Sequence, residues 1–352
     1  MAAVSVRMNP LGITLMLLIS GCSIFYWFGG ANLLRSEPKI SMKELLCVGI
    51  ELAKRGGNRV KQIHDSNKLD ATSKGKTKEG AKEMMTEGDL QSHRAIVYGF
   101  DKAFPGIKVI SEEHERKPVD FKVIPDLVKQ MNEVDEIITS DVQIPLNEIS
   151  VWIDPLDATQ EYTEGLTQYV TVMVCVAVNG QPTIGIIHQP FLKETAWGWV
   201  AYGTSKNVKN QVNEKDQKTP IEGKEDPVRL IVSRSHAGKV EPLVKDAFDN
   251  VNVIPAGGAG YKTLALIKGE ADAYVHVTRI KKWDICAGNA LLNSLGGRMT
   301  TLDGTHIDYH AESNPVVDLG LLADLREHDV YRSKLSKIAE DLKESSQKQP
   351  SS

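Results

Sequence analysis

The segment Trp152-Ile153-Asp154-Pro155-Leu156-Asp157-Ala158-Thr159 concentrates groups that do chemistry. A hydrophobic run ends in two carboxylates three positions apart, with a proline between them. Pro155 fixes its own φ and removes a backbone donor. That helps turn the Leu156 carbonyl and both carboxylates toward one point. Hard cations such as Mg²⁺ take oxygen ligands of this kind. Alone, Asp-Pro-Xaa-Asp is also a common turn at a strand end, so the reading draws its weight from three further segments. Ser111-Glu112-Glu113-His114 follows the apolar run 107–110. Lys281-Lys282-Trp283-Asp284 puts Asp284 at the opening of a helical pattern, and Thr86-Glu87-Gly88-Asp89 does the same for Asp89. Each acid taken singly reads as a solvated side chain or a helix cap. Together they supply a carboxylate centre whose members repel one another without cations. Two bound metals can clamp a phosphoryl group, one activating water and one stabilising the leaving oxygen. No Ser/His/Asp triad or cysteine nucleophile spacing appears, which favours direct attack by water.

A second group of residues suits an anion. Gly257-Gly258-Ala259-Gly260 precedes a helical pattern beginning at Tyr261-Lys262. Backbone N–H groups there can approach a phosphate, with the helix dipole helping. A strand-to-helix turn needing small residues explains the same pattern. The Gly-Lys-Ser/Thr ending of a Walker A loop is absent. Ser233-Arg234-Ser235-His236 adds a short polar cluster after a strand pattern. Lys74, Lys76, Lys78 and Lys82 form a charge run that reads as a solvated loop rather than a phosphate-steering lid.

The elements that position these groups follow from periodicity and punctuation. Residues 41–64 read as a helix capped by Ser41, with Glu44 in capping-box spacing. Residues 68–88 read as a mobile polar loop, 89–104 as a helix, and 107–110 as a short strand. Residues 118–149 read as an extra segment with one amphipathic helix through Ile124, Leu127, Val128, Met131, Val134 and Ile137. Strands follow at 150–153, 170–178, 183–188 and 195–202, with Asn179-Gly180 as a hairpin turn. Residues 206–227 read as a charged loop. Strands at 228–233, 251–254 and 273–277 then alternate with helices at 239–248, 261–268 and 284–295, the last closed by Gly296-Gly297. The expectation is an α/β protein layered in two halves, mixed or antiparallel first and alternating second. The tail 344–352 reads as disordered.

Composition narrows the partners. The 352 residues carry 42 Lys and Arg, 46 Asp and Glu, and a net charge of −4. Arg7, Arg35, Lys39 and Glu37 fall in the first forty, so the remainder holds 39 basic and 45 acidic side chains. Such an acidic body is a poor binder of polymeric nucleic acid. No charge occurs from Met8 to Leu34, and the apolar stretch 11–28 rises about 27 Å as a helix, close to a bilayer's hydrocarbon thickness. We read 11–29 as a single-pass anchor after a short tail at 1–10, with a stem at 30–40; a cleaved signal peptide is the alternative. Charges flanking the span do not decide its orientation. Cys22 lies in the span, and among Cys47, Cys175 and Cys286 no pair has metal-site or redox spacing, so no disulfide framework is expected.

The four acidic segments resemble the metal-dependent, lithium-sensitive phosphomonoesterases that include inositol monophosphatase. That family's signatures are a Glu-Glu pair, D-P-[IL]-D-x-T, and a late W-D opening a helix. The resemblance runs from about 41 to 322. Ala158 departs from it, since many members have Gly or Ser there, but it supplies no ligand atom. Within the superfamily the chain is most similar to the 3′(2′),5′-bisphosphate nucleotidases, on 233–236, 257–262 and 281–284. With the amino-terminal span, it resembles the Golgi-resident members of that branch. The resemblance implies a layered αβαβα sandwich over 41–343, with subdomains about 41–227 and 228–343. It implies two or more Mg²⁺ ions held by Glu112, Asp154, Asp157, Asp284 and the Leu156 carbonyl, with Thr159 and Asp89 orienting water and accepting its proton. Ser233, His236, Gly258 and Lys262 would contact the nucleotide. The implied reaction is hydrolysis of the 3′-phosphate of adenosine 3′,5′-bisphosphate, the by-product of sulfotransferases, to AMP and phosphate in the Golgi lumen. An inositol phosphate phosphatase of the same superfamily and a non-catalytic membrane-anchored binding protein are the alternatives.

Overall fold

The computed structural model describes residues 9–27, 37–76, 80, 82–115, 120–216, 226–235 and 240–347. Residues 1–39 and 40–352 form two separate units. In the first, Pro10–Trp27 is an α-helix of 18 residues. Its described leucines are exposed, Leu11 at 81% and Leu17 at 68%. Among the described residues no helix is long and apolar enough to cross a membrane. The expected transmembrane helix is therefore not found among them; the helix stops at Trp27, and 28–36 lie outside the described residues.

The second unit is built on two sheets. The first has six strands, in the order Gly203–Thr204, Glu194–Trp199, Gln181–Gln189, Thr171–Val178, Ile149–Asp157, Lys108–Ser111. All neighbours are antiparallel except the last pair, which is parallel. Asn179 (φ 49°) and Gly180 (φ 72°) close the central hairpin in the left-handed conformations that a two-residue turn requires. The second sheet has five strands, in the order Val251–Ala256, Val228–Ser233, Ala273–His276, Leu321–Asp324, Arg298–Thr300. The first three are parallel and the rest antiparallel.

Three apolar clusters separate the layers. The helices Met42–Asp65 and Glu87–Ala103 bury Leu45, Ile50, Ile96 and Phe100 with Val172, Val174 and Ile186 on one face of the first sheet. The helices Ala259–Ile267 and Lys282–Asn293 fill the space between the sheets, where Leu264, Ala287 and Leu291 meet Trp152, Met173 and Ile187. Val240, Val244, Leu335 and Ile338 cover the outer face of the second sheet. The order helix, sheet, helix, sheet, helix is the layering that the resemblance implies.

The helix Lys282–Asn293 is held against the first sheet at close range. Gly185 faces it so nearly that a Cβ there would stand 2.1 Å from the Ala287 carbonyl oxygen. Cys175 and Cys286 form a disulfide with Cα atoms 5.6 Å apart, across 111 residues of sequence. This is one bond rather than a framework; the contact is between a strand and a helix, and no local spacing announces it. Buried Cys47 and exposed Cys22 remain free.

Four further expectations are corrected. Among its described residues, the 118–149 segment has 3-10 turns at Phe121–Val123 and Leu146–Glu148, one helical turn at Asn132–Asp135 and a short strand at Gln143–Pro145 in place of the amphipathic helix. Pro125 lacks the N–H that a longer helix needs. The segment is instead tied down by Arg55, which donates to the carbonyls of Pro125 and Asp126 at 3.1 and 2.6 Å. Residues Lys206–Asp216 form a helix rather than a loop, anchored by buried Val208. The lysine-rich stretch forms a hairpin, Thr72–Lys76 with Lys82–Met85, while Lys78 lies outside the described residues. The last helix, Ser336–Gln347, reaches into the stretch expected to be disordered, of which 348–352 lie outside the described residues.

Gly185→Ala tests the close approach. Only backbone could yield to the added methyl, so overpacking should lower unfolding stability by about 2–3 kcal/mol, read as a shifted urea midpoint at constant m.

Candidate active site

All nine residues of Ile149–Asp157 are buried. The parallel neighbour Lys108–Ser111 pairs Ser111 with Ile153, and the Glu112 N–H donates to the Ile153 carbonyl at 3.1 Å. This register sets Glu112 beside Asp154. The helix Lys282–Asn293 brings Asp284 in its first turn, where Asp284 Oδ2 accepts the Lys281 N–H at 3.1 Å. One carboxylate oxygen from each of Glu112, Asp154 and Asp284 lies within 4.8 Å of the other two. These are hard oxygen donors at metal-sharing distance, and they fit a divalent cation.

The electrostatics agree with that fit. Burial, then the Glu112 charge, raises Asp154 and Asp284 well above the usual carboxylate range. Burial raises Glu112 too, while Lys74 opposes it. Lys74 Nζ stands 3.0 Å from Glu112 Oε1 and also pairs with Glu113. The hairpin therefore supplies a cation to an acidic cluster, a role the reading of a solvated loop missed.

Asp157 is placed differently. Its Oδ1 accepts the Ala259 N–H at 3.0 Å, and its Oδ2 accepts the Gly260 N–H and the Thr171 hydroxyl, both at 2.8 Å. It sits at the N-terminus of the helix Ala259–Ile267, a favourable place for a negative charge. It lines the same cavity as the three-carboxylate cluster but is not one of that group. Gly258, at φ +65°, makes this possible, since a Cβ there would stand 2.8 Å from Asp157 Oδ2 and 2.7 Å from the Tyr169 carbonyl.

Thr159 opens the short helix Thr159–Thr163. Its hydroxyl lies 3.1 Å from both Asp89 Oδ1 and the Leu156 carbonyl oxygen, within donating distance of either. Asp89 Oδ2 accepts from the Thr86 N–H at 2.7 Å and the Thr86 hydroxyl at 2.6 Å. Burial pushes the Asp89 carboxyl up to about 7, with the Thr86 bonds opposing. The fold thus brings Asp89 and Thr159, seventy positions apart, into hydrogen-bond contact.

Of these groups, Glu112, Asp154, Asp157, Thr159 and Asp284 line a cavity of about 390 Å³. Ser233, Gly258 and Lys262 line it as expected; His236 lies outside the described residues. Lys262 is buried, and its Nζ donates to the Gly258 carbonyl at 2.5 Å. Burial lowers this ammonium to about 8 despite the Asp157 charge. Sequence reasoning missed His276 and Arg279, and it gave Lys281 no role beyond the 281–284 segment; all three line the same cavity. The signal available was that 278–281 leads directly into Trp283-Asp284.

Comparison with known proteins places this geometry. Residues 41–344 match the model of the inositol monophosphatase family. A protein of Danio rerio named inositol monophosphatase 3 is 45% identical over 339 residues, covering 93% of this chain and 95% of its own. The Golgi-resident adenosine 3′,5′-bisphosphate 3′-phosphatase of Mus musculus is 42% identical over 352 residues, with the same coverage of 93% and 95%. Among solved structures, the extragenic suppressor protein suhB of Bartonella henselae aligns at a TM-score of 0.59 and 17% identity, covering 84% of this chain and 98% of its own. CysQ of Bacteroides thetaiotaomicron aligns at 0.55 and 21% identity, covering 81% and 98%. The two structures share the fold.

Ala158, between the two machineries, has φ 71° and ψ 43°. This is the left-handed region that a Cβ disfavours. Ala158→Gly should raise unfolding stability by about 0.5–1 kcal/mol after the entropic cost of glycine. Denaturant unfolding of the two proteins measures it.

Proposed function

The chain belongs to the inositol monophosphatase family, and from that premise we propose a metal-dependent phosphomonoesterase that removes the 3′-phosphate of adenosine 3′,5′-bisphosphate, giving AMP and phosphate. The observation that carries the reading is the Glu112, Asp154 and Asp284 donor set within 4.8 Å, opening on the cavity that Thr159, Ser233, Gly258 and Lys262 also line. Relatives of similar identity carry two names, an inositol monophosphatase and an adenosine bisphosphate phosphatase. The nucleotide reading is favoured by the 233–236 and 257–262 segments, two of whose glycines bring backbone to the site.

Glu112, Asp154 and Asp284 would hold Mg²⁺, with Asp157 and the Leu156 carbonyl as the further ligands of the proposal. Bound cations supply the positive charge that lowers the pKa of water and stabilises a leaving oxygen. The protein's part is positional. Thr159 presents its hydroxyl beside Asp89, and Thr86 fixes the far carboxylate oxygen. The pair orients water, and Asp89 Oδ1 takes the proton. Lys74, paired with Glu112 and Glu113, would share those carboxylates with a bound cation. Lithium would inhibit by competing for the same oxygen cage.

We place the catalytic unit in the Golgi lumen, tethered by Pro10–Trp27. Three observations support this: the relative's printed name, the exposed leucines of that helix, and the Cys175–Cys286 disulfide. Disulfides persist in oxidising compartments and are rare in the cytosol.

Phosphate release from adenosine 3′,5′-bisphosphate and from inositol 1-phosphate decides the activity. Turnover of the nucleotide that needs Mg²⁺, stops with EDTA, falls with Li⁺ and yields 5′-AMP is expected; preferential turnover of the inositol ester would overturn the assignment. Asp154→Asn should cut turnover about a thousandfold or more, the loss of several kcal/mol of charge stabilisation, and should abolish the rise in melting temperature that Mg²⁺ gives the parent. It is a cleaner probe than Asp157→Asn, because Asp157 also holds a helix. For topology, the catalytic unit should resist protease in sealed Golgi vesicles, and Cys175 and Cys286 should escape thiol labelling until reduced. Digestion without detergent would put the unit on the other face.

A further inference from the structure

A bisphosphorylated substrate presents a second phosphate that is bound but not cleaved, and the cavity must hold it away from the carboxylates. Among the described residues, the cationic side chains lining the cavity are Lys74, Lys262, Arg279 and Lys281. Two are committed. Lys74 is paired with Glu112 and Glu113. Lys262 is buried, with its Nζ on the Gly258 carbonyl and 5.1 Å above the Tyr274 ring. Arg279 and Lys281 remain, and the fold sets them up as a pair.

Ile280–Lys281 is a short strand, antiparallel to Val316–Val317. Arg279, Ile280 and Lys281 all line the cavity; the Ile280 side chain is buried and Arg279 is exposed. The Arg279 Nε stands 2.6 Å from Asp318 Oδ1. A guanidinium offers five N–H donors in a rigid fork, so one carboxylate fixes its orientation and leaves donors to spare. Lys281 Nζ lies 5.8 Å above the Trp283 ring, one residue short of Asp284. The wall bearing these cations thus continues directly into the metal-site carboxylate.

We propose that Arg279, with Lys281 beside it, binds the phosphate that is not cleaved and makes the site select bisphosphorylated over monophosphorylated esters. This rests on the phosphomonoesterase reading above and names its specificity determinant. Charge-assisted contacts to a phosphate are the strong class of hydrogen bond, and Arg favours them through its fork geometry.

The test compares the full chain with Arg279→Ala, Arg279→Lys and Lys281→Met, loaded with Mg²⁺, on adenosine 3′,5′-bisphosphate and adenosine 3′-monophosphate. Inositol 1,4-bisphosphate and inositol 1-phosphate form the second substrate pair. Arg279→Ala should raise KM for the bisphosphate by about ten- to a hundredfold, with kcat nearly unchanged and the monophosphate KM unmoved. Arg279→Lys should recover part of the loss. The salt dependence of the bisphosphate KM should flatten in Arg279→Ala, which a merely structural role would not produce. Equal losses on bis- and monophosphate, or no loss on either, would overturn the proposal. Should the parent turn over inositol esters alone, the nucleotide assignment fails, and the inositol pair decides Arg279 by the same KM comparison.

Discussion

Mutual repulsion among buried carboxylates is the constraint around which this molecule is arranged. Asp154 is buried, Glu112 and Asp284 are close enough to share one ion, and Asp157 lines the same cavity. Burial and like charge both work against ionisation there. A chain folded only for stability would replace such a group with apolar side chains. Here the surrounding structure compensates locally: the Lys281 and Leu156 amides bond to two of the carboxylates, and Lys74 partly neutralises a third. The cluster is a site that gains from cations, and its geometry has to be imposed from outside.

What imposes it is the strand end at Asp154 and the helix start at Asp284. The helix lies against the first sheet at a distance that only a glycine at 185 permits, and a covalent bond from Cys175 to Cys286 fixes it one turn from its acidic end. On the far side, Trp152 Nε1 and Ser150 donate to the Tyr309 carbonyl at 2.9 and 2.8 Å, and Asn289 donates to the Tyr309 hydroxyl at 3.0 Å. Strand and helix are thereby clamped through a third segment. Rigidity of this kind keeps ligand atoms in place against their repulsion.

Much of this was legible in the sequence because it is locally encoded. Ser41 caps its helix through the Glu44 amide, as its spacing said. Asn179-Gly180 turns the hairpin, and Asp154-Pro155-Leu156-Asp157 ends a buried strand. What was not legible depends on partners distant in the chain. Cys175 finds Cys286 only because a helix crosses a strand. The helix Lys206–Asp216 has only Val208 and Val212 among polar residues, too little for a periodic signal. Residues 118–149 have helical periodicity, but Arg55 and a proline hold them otherwise. Lys74 looked solvated because the acids that engage it follow nearly forty positions later. Asp157 lines the cavity, and its bonds to the Ala259 and Gly260 amides give it an employment that no spacing rule contains.

That double employment has a bearing on how such a protein can diverge. One carboxylate both lines the cavity and anchors a helix that contributes to its wall. A drift at Asp157, or at Gly258 beneath it, would be selected against twice, once for the proposed site and once for architecture. The bond from residue 281 to Asp284 comes from the backbone amide, which a change of the Lys281 side chain leaves in place. New substrate preferences within this lineage can therefore accumulate on the 279–281 edge, while 154–159 and 257–260 persist as an inherited unit.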